Sequence, residues 1–416
     1  MSAFDALSFW READFHGRMQ WYREVAANRL PAKFRICAAL PAGVALEAPE
    51  DELWCALEAA TSRFIDLRER ICAGEALAGP APRPNLLDLV AELGRRMLAH
   101  CNFCRWDCRV DRTRGAKLGA CKLAAETRVS SHFHHRGEEL VYRGTHGSGT
   151  IFFTSCNMRC AFCQNGDIST DRLNGEAVSA RMLATMAWVL RAEGCHNINW
   201  VGGDPTIHLH TILEAIALLP TLDPKPHDVE AAMATKADWF SRWRASAAGA
   251  LFEGAFNAPM LWNSNFFQSE EAMKLLRLTM DVWLPDFKFG PGRCAIELAR
   301  TGWYWETLTA NLVKLAQWDE DFTIRHLVMP GHVECCTVPV LDWIAEHMPE
   351  APVNIMDQYH PDNYCDSANE KFMERYRALS RRPRREEILA AFRHAKARGL
   401  RFESLSYERN QTGLRV

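Results

Sequence analysis

The chain has 416 residues, 48% of them hydrophobic, and a net charge of −3 at pH 7. This length predicts two to three domains, or one large barrel with additions, and the charge favours neither nucleic acid nor a membrane as a partner. It contains no run of about 18 apolar residues, so no transmembrane helix is expected. The first residues lack the basic and apolar segments of a secretory signal, which predicts a cytoplasmic protein. Fifteen cysteines in such a chain favour metal ligands over a disulfide framework.

The first 98 residues are predicted to be a helical N-terminal extension. Apolar residues recur at helical period from Asp51 to Ile71 and again from Asn85 to His100. A stretch rich in glycine and proline at 79–84 separates these two patterns and is typical of a linker. No residue of this extension indicates chemistry of its own, so we expect it to pack against a catalytic domain.

Residues 99–147 form a predicted cysteine-rich module. Four cysteines lie close together in a polar segment that also contains glycines: Cys101, Cys104, Cys108 and Cys121. Four thiolates can close a tetrahedral zinc site or hold an iron–sulfur cluster. The histidines that follow, His132, His134 and His135, are interpreted as surface residues on a loop rather than ligands.

From residue 148 onward, short apolar runs alternate with helical patterns, which indicates a parallel sheet whose chemistry lies at the carboxyl ends of the strands. The predicted strands are Thr150–Ser155, Asn197–Val201, Met260–Asn263, Val282–Asp286, Thr323–Met329 and Val353–Met356. An insertion at about 222–257, with Trp239, Phe240 and Trp243, is expected to be helical. The segment 376–416 is predicted to be helical too, with the basic run Arg381–Arg385 as a solvated turn.

The first of these strands leads into three cysteines, Cys156, Cys160 and Cys163, at the spacing C-x3-C-x2-C. Soft thiolate ligands select iron–sulfur clusters, zinc or copper. A structural zinc site normally takes four protein ligands. Three cysteines on one loop would instead leave one corner of a [4Fe-4S] cluster free for a substrate or cofactor.

This spacing resembles that of the radical S-adenosylmethionine (SAM) superfamily. Over about residues 98–400, the chain is most similar to the group related to the pyruvate formate-lyase activating enzymes. The motifs that carry the resemblance are Gly-Ser-Gly-Thr-Ile-Phe-Phe, Cys-Gln-Asn, Gly-Gly-Asp-Pro-Thr, Leu-Pro-Asp-Phe-Lys and Met-Asp-Gln-Tyr. The resemblance implies an α/β fold with a partial (β/α)6 TIM-like barrel at 148–375.

The resemblance also implies site residues. Cys156, Cys160 and Cys163 would hold the cluster, and Asp204, which replaces the family's usual glutamate, would bind the SAM amino group. Asn263 stands where the activating enzymes have aspartate at a cation site, and His326 is interpreted as a structural histidine. The other residues implied to contact SAM are Phe162, Gly202, Gly203, Ser264, Asp286, Lys288 and His360.

The implied activity is oxidoreductase-like: reductive cleavage of SAM to a 5′-deoxyadenosyl radical, which abstracts hydrogen from a small-molecule or peptide substrate. The implied electron donor is a protein such as flavodoxin or ferredoxin. Two alternatives remain open. One is an activating enzyme that installs a glycyl radical in a partner protein, and the other is a non-catalytic iron–sulfur or zinc protein.

Overall fold

The computed structural model describes residues 15, 18–79, 83–232 and 247–407. Ten strands are present in these ranges. They are β1 (Arg128–His135), β2 (Ser148–Phe153), β3 (Glu176–Ala177), β4 (Ile198–Gly202), β5 (Leu251–Phe252), β6 (Ala255–Phe256), β7 (Met260–Ser264), β8 (Val282–Pro285), β9 (Ile324–Leu327) and β10 (Val353–Met356).

Six of these strands run parallel and form a partial barrel. The main sheet has the order β3-β1-β2-β4-β7-β8, and β9 pairs in parallel with β10. Two parallel bridges, Trp283 to Phe322 and Asp286 to Arg325, connect β8 to the β9 segment. The barrel strands β2, β4, β7, β8, β9 and β10 therefore follow chain order, which confirms the predicted partial (β/α)6 architecture. Each lies within two residues of its predicted bounds.

Helices cover the outside of the barrel, and several begin at a side-chain cap. The Ser179 and Ser269 hydroxyls each accept from the amide three residues on, and Asn85 forms a capping box with Asp88. The described α-helices are Gln20–Ala26, Lys33–Ala38, Glu50–Cys72, Leu86–Arg96, Leu140–Arg143, Gly166–Thr170, Ala180–Ala192, Leu209–Leu218, Pro226–Ala232, Glu270–Arg277, Cys294–Ala299, Tyr304–Gln317, Val338–His347, Arg385–Ala397 and Glu403–Ser406.

The N-terminal helices share one hydrophobic core with the barrel. Helix Leu86–Arg96 packs on Leu209–Leu218, and a Cβ added at Gly94 would lie 2.8 Å from Leu213 Cδ1. A larger residue at this position would require the Leu213 side chain to shift. The division of the chain at 98, 147 and 375 stays a prediction.

The histidine segment is strand β1, so its interpretation as a loop was wrong. β1 pairs antiparallel with β2, from Val129 opposite Phe153 to His135 opposite Ser148. Its side chains are mostly polar and partly exposed, so the strand lacks the apolar run from which the other strands were predicted. His134 is not a free surface residue, because it pairs with Glu193 and contacts the carbonyl oxygen of His146 at 2.9 Å.

The insertion is helical at Pro226–Ala232, as predicted, but it differs from its prediction nearer its end. Leu251 and Phe252 form β5, which pairs antiparallel with β6 in a short hairpin instead of a helix. Trp239, Phe240 and Trp243 lie outside the described residues. Among the described helices, none combines the length and the apolar character that crossing a bilayer requires.

Candidate active site

A cavity of about 690 Å³ lies at the carboxyl ends of the barrel strands, within the usual size range of ligand pockets. It brings together the three cysteines of the first barrel loop and every residue that the sequence analysis assigned to SAM. These lining residues are Cys156, Cys160, Phe162, Cys163, Gly202, Gly203, Asp204, Asn263, Ser264, Asp286, Lys288 and His360. Their individual roles stay predictions.

The loop after β2, residues 154–165, holds the three thiols through its backbone. Ala161 N donates to Leu298 O at 2.7 Å and Arg159 N donates to Ala299 O at 3.0 Å, so the end of helix Cys294–Ala299 supports the loop. The sulfur of Cys156 accepts from Met158 N at 3.3 Å. The sulfur of Cys163 accepts from the Ser169 hydroxyl at 3.3 Å.

Burial raises the pKa of all three thiols, that of Cys160 to about 12. The nearby Lys288 ammonium opposes this effect at Cys160. A metal centre must therefore displace protons from these thiols on binding. The donor set fits an iron–sulfur cluster, because three thiols on one loop face a cavity with room beside them.

The glycine pair at the end of β4 lets that strand lie against this loop. Gly202 has φ +121°, and a Cβ on Gly203 would lie only 1.6 Å from the carbonyl oxygen of Ser155. Gly203 N donates to Phe153 O at 2.8 Å, which fixes the contact between the two strand ends. The sequence Gly202-Gly203 is therefore required by the close approach of two backbones.

Asp204, which follows the glycines, is 1% exposed and lines the cavity. Its carboxylate accepts from Thr206 N at 2.9 Å and from Asn265 N at 3.0 Å. Burial raises its pKa to about 6 despite these bonds. Asp204 thus connects the ends of β4 and β7, and it presents a buried carboxylate that a cationic group in the cavity would stabilise.

Asp286 and Lys288, which follow β8, form an ion pair at the cavity wall. Burial lowers the pKa of Lys288, but the attraction of Asp286 and Cys160 outweighs it and raises the pKa overall. The Tyr304 hydroxyl donates to Asp286 O at 2.6 Å and accepts from Lys288 N at 2.9 Å. This hydroxyl fixes the backbone that presents both charges.

Aromatic and polar residues line the rest of the wall. Phe162 is buried, with ring centroids of Phe289 and Tyr359 each at 6.0 Å. His360 is half-exposed, and its Nδ1 lies 2.7 Å from an Asp362 oxygen. His326 does not line the cavity: its ring nitrogens contact Phe287 O at 2.7 Å and the Thr337 hydroxyl at 2.9 Å.

The sequence analysis missed a buried charge network at the cavity. Arg325 Nη2 lies 2.5 Å from an oxygen of Glu138 and 2.5 Å from an oxygen of Glu139. Asn199 donates to Glu138 at 3.0 Å, and Asn354 donates to Glu139 at 2.6 Å. These side chains come from four separate segments, so no local spacing in the sequence could have found them.

The network depends on Arg325. Burial would raise the pKa of Glu138, but the Arg325 and His135 side chains lower it to about 2. Arg325 also donates to Asn263 Oδ1 at 3.4 Å, where Asn263 is a predicted SAM residue. The guanidinium thus connects the carboxylates of this network to the predicted binding wall.

The four cysteines of the N-terminal module lie outside this cavity but beside its cysteine loop. Ser155 Oγ donates to Cys121 O at 2.7 Å and Trp106 Nε1 donates to Asn157 O at 2.7 Å. Burial raises the pKa of Cys104 well above its usual value, and the thiols Cys101, Cys108 and Cys121 raise it further. These contacts place the cysteine-rich module against the loop of Cys156, and its binding of a metal through the four thiols stays a prediction.

Comparisons with known proteins identify the family of the chain. A sequence model described as the Radical SAM superfamily matches residues 150–257. The chain is 34% identical over 285 residues to Uncharacterized protein MJ0674 of Methanocaldococcus jannaschii, a match that covers 67% of this chain and 72% of that protein. The chain belongs to the radical SAM superfamily.

Among solved structures, the chain is similar to SuiB of Streptococcus suis bound to precursor peptide SuiA, with 10% identity and a TM-score of 0.37. The match covers 60% of this chain, which spans a little under half (46%) of SuiB. It is also similar to anSMEcpe with bound AdoMet and Cp18Cys peptide, with 11% identity, a TM-score of 0.32 and coverage of 54% of this chain and 55% of that chain.

Proposed function

We propose that this radical SAM enzyme holds a [4Fe-4S] cluster on Cys156, Cys160 and Cys163, cleaves SAM reductively and abstracts hydrogen from a small-molecule or peptide substrate. One observation carries the proposal: the three thiols and all predicted SAM residues line a single cavity of about 690 Å³. Such a cavity at the carboxyl ends of barrel strands is where this architecture performs chemistry. The closer relation to the activating enzymes stays a prediction.

When bound, the cluster and SAM together supply an electron and a carbon-centred radical. The task of the protein is to bind and orient these groups and to exclude water. Buried Asp204 would accept from the SAM ammonium, because its carboxylate has remaining acceptor capacity and faces the cavity. Gly202 and Gly203 keep that wall free of side chains.

Lys288 would act on the carboxylate side of SAM. Its ammonium is paired with Asp286 at the cavity wall, so it can donate to a second carboxylate without leaving the first. Phe162 offers a buried aromatic face for the adenine, beside Tyr359. His360, Asn263 and Ser264 supply the polar groups around the ribose and adenosyl portions.

The network of Arg325, Glu138 and Glu139 supports a polar substrate. Charged and amide side chains line this part of the cavity, and an apolar group placed against them would exclude water from polar atoms without offering a hydrogen bond in return. A small molecule or peptide with polar groups at its reacting end would offer such bonds.

We propose that the thiols of Cys101, Cys104, Cys108 and Cys121 hold a second iron–sulfur cluster rather than zinc. Within the described parts of the chain, these four do not form a group whose ligand atoms all lie within 4.8 Å of one another. That wider spacing favours a polynuclear cluster over a single ion. Contacts of this module with the first cysteine loop suit a relay of electrons from a donor such as flavodoxin or ferredoxin.

All fifteen cysteines are free thiols in this structure. Free thiols are typical of a reducing compartment such as the cytoplasm. The proposed cluster also requires its cysteine ligands to stay reduced.

The proposal is tested with protein prepared and reconstituted without oxygen, then reduced in the presence of SAM. Formation of methionine and 5′-deoxyadenosine is expected for the natural chain and for Cys55→Ala, which changes an exposed cysteine outside the cavity. The triple variant Cys156→Ala, Cys160→Ala, Cys163→Ala should form neither product. Cleavage of SAM at an unchanged rate by the triple variant would reject the proposed function.

A further inference from the structure

A second set of metal-ligating side chains lies outside the cavity. It consists of Cys294, His332, Cys335 and Cys336, from the segments that follow β8 and β9. One ligand atom from each residue lies within 4.8 Å of all the others. No other group of three or more such ligand atoms comes this close together among residues 18–79, 83–232 and 247–407.

The distances among Cys294, His332 and Cys335 match those expected around one tetrahedral ion. Cys294 Sγ lies 3.6 Å from Cys335 Sγ and 3.6 Å from His332 Nδ1, and His332 Nδ1 lies 3.3 Å from Cys335 Sγ. Zn–S bonds of about 2.3 Å and Zn–N bonds of about 2.0 Å in a tetrahedron place two sulfurs about 3.8 Å apart, and sulfur and nitrogen about 3.5 Å apart. The sulfurs are too far apart for a disulfide, whose bond is about 2.05 Å long.

We propose that Cys294, His332, Cys335 and Cys336 bind one structural zinc ion. Three thiolates and one imidazole are a donor set that zinc takes in closed structural sites. The set is unlike a chance group of core cysteines, because Cys335 is exposed while Cys336 is buried. The exposed thiol has no packing role in the core, and it gives the ion a path from solvent.

The local backbone is shaped for this arrangement. His332 precedes a π-helical turn, Val333–Thr337, which carries both Cys335 and Cys336. Short π-helical segments are rare and frequently lie at functional sites. A Cβ on Gly290 would lie 2.1 Å from the carbonyl oxygen of Cys335, so the segment after β8 approaches this turn closely.

The zinc would also brace the loop of the radical SAM site. Cys294 begins helix Cys294–Ala299, whose last carbonyls accept from Arg159 N and Ala161 N. An ion that joins this helix to the turn after β9 would hold the helix in place, and with it the loop that carries Cys160. These four residues would be positioning residues, since none of them lines the cavity.

Zinc content measured by mass spectrometry on anaerobically purified protein, supplied with zinc during expression, tests the proposal. We expect about one zinc ion per chain in the natural sequence and near zero in His332→Ala and Cys335→Ser. Cys55→Ser is the matched control, an exposed cysteine on helix Glu50–Cys72 that should leave the zinc in place. Cys104→Ser should also retain it, which separates this ion from the metal of the N-terminal module.

Cobalt substitution gives a readout independent of activity and of zinc recovery. Protein loaded with Co²⁺ should show the intense visible bands of tetrahedral thiolate coordination, and His332→Ala should lose them while keeping its iron content. Absence of zinc from the natural protein, or unchanged zinc in both His332→Ala and Cys335→Ser, would overturn the proposal. So would a Cys294–Cys335 disulfide in anaerobically purified protein.

Discussion

The side-chain amide of Asn265 donates to the sulfur of Cys156 over 3.6 Å and to Asn157 Oδ1 over 2.6 Å. Asn265 lies just after β7, whereas Cys156 lies in the loop after β2. The side-chain Oδ1 of Asn265 accepts from Phe267 N at 3.1 Å, which fixes the direction of the side-chain amide. The loops after β2 and β7, two strands that β4 separates in the sheet, therefore meet at a cysteine sulfur, through a residue that the sequence analysis did not assign to the site.

The first prediction follows from this contact. A donor to a ligand sulfur stabilises the more negative, reduced form of a cluster, so its removal should lower the reduction potential. For Asn265→Ala, loss of about 1 kcal/mol corresponds to roughly 40 mV for a one-electron couple. A redox titration followed by electron paramagnetic resonance measures this shift. Asn311→Ala, which removes two donations to the same loop but none to sulfur, is the control.

The second prediction concerns Asp204. A charge-assisted hydrogen bond contributes about 1.5–3 kcal/mol, so Asp204→Ala should weaken SAM binding roughly ten- to a hundredfold. Equilibrium binding of SAM to the reconstituted protein measures the effect, and the iron content should not change. Asp204→Glu restores the charge and should bind SAM within a few-fold of the natural chain. Natural affinity in Asp204→Ala would show that this carboxylate serves only its two backbone amides.

The third prediction concerns Gly203. Because a Cβ there would lie 1.6 Å from Ser155 O, Gly203→Ala must push β4 away from the cysteine loop. We expect reduced iron incorporation and a lower melting temperature. Gly302→Ala is the matched control, since a Cβ at that position meets nothing within 4 Å. Equal iron content in the two variants would contradict the proposed need for this close approach.

The barrel could be predicted because most residues of its strands are buried. Val282–Pro285, for example, is continuously apolar, and Asp286 and Lys288, which line the cavity, follow it. The same reasoning failed for β1, whose side chains alternate between partly buried and exposed. Its position is set by pairing with β2, which is a tertiary interaction without an apolar pattern of its own.

Groups of candidate cysteine ligands could be predicted only where their members are close in sequence. Cys156, Cys160 and Cys163 form a local motif, but Cys294 and His332 are separated by 38 positions and meet only because β8 and β9 are neighbours. Glu138 and Arg325 are farther apart still, 187 positions. The members of such groups come together only when the barrel forms, and the spacing of residues in the sequence does not predict these contacts.

The fourth prediction uses the buried pair of Glu138 and Arg325. The pKa of Glu138 falls from an ordinary 4.5 to about 2 in the folded chain, so its stabilising effect is present above pH 4.5 and is lost as the pH falls toward 2. The full effect is about 3 kcal/mol. Melting temperatures measured from pH 7 down to pH 3 should therefore fall less steeply for Glu138→Gln than for the natural chain.

The control for this measurement is Glu58→Gln, which removes an exposed pair with Lys274 whose contribution is about 0–1 kcal/mol. Its melting temperature should follow the natural chain across the same pH range. A Glu138→Gln variant with the natural slope would show that the carboxylate is not ionised by the pairing with Arg325.

The last prediction concerns the metal of the N-terminal module. Burial and mutual repulsion keep the thiols of Cys101 and Cys104 protonated without a cation, and a cluster removes that cost. Reconstituted protein should therefore contain about eight irons per chain, and Cys104→Ser about four. About four irons plus a zinc that Cys104→Ser removes would assign zinc to this module instead. About four irons in both proteins, with no zinc change on Cys104→Ser, would exclude a second site on these cysteines.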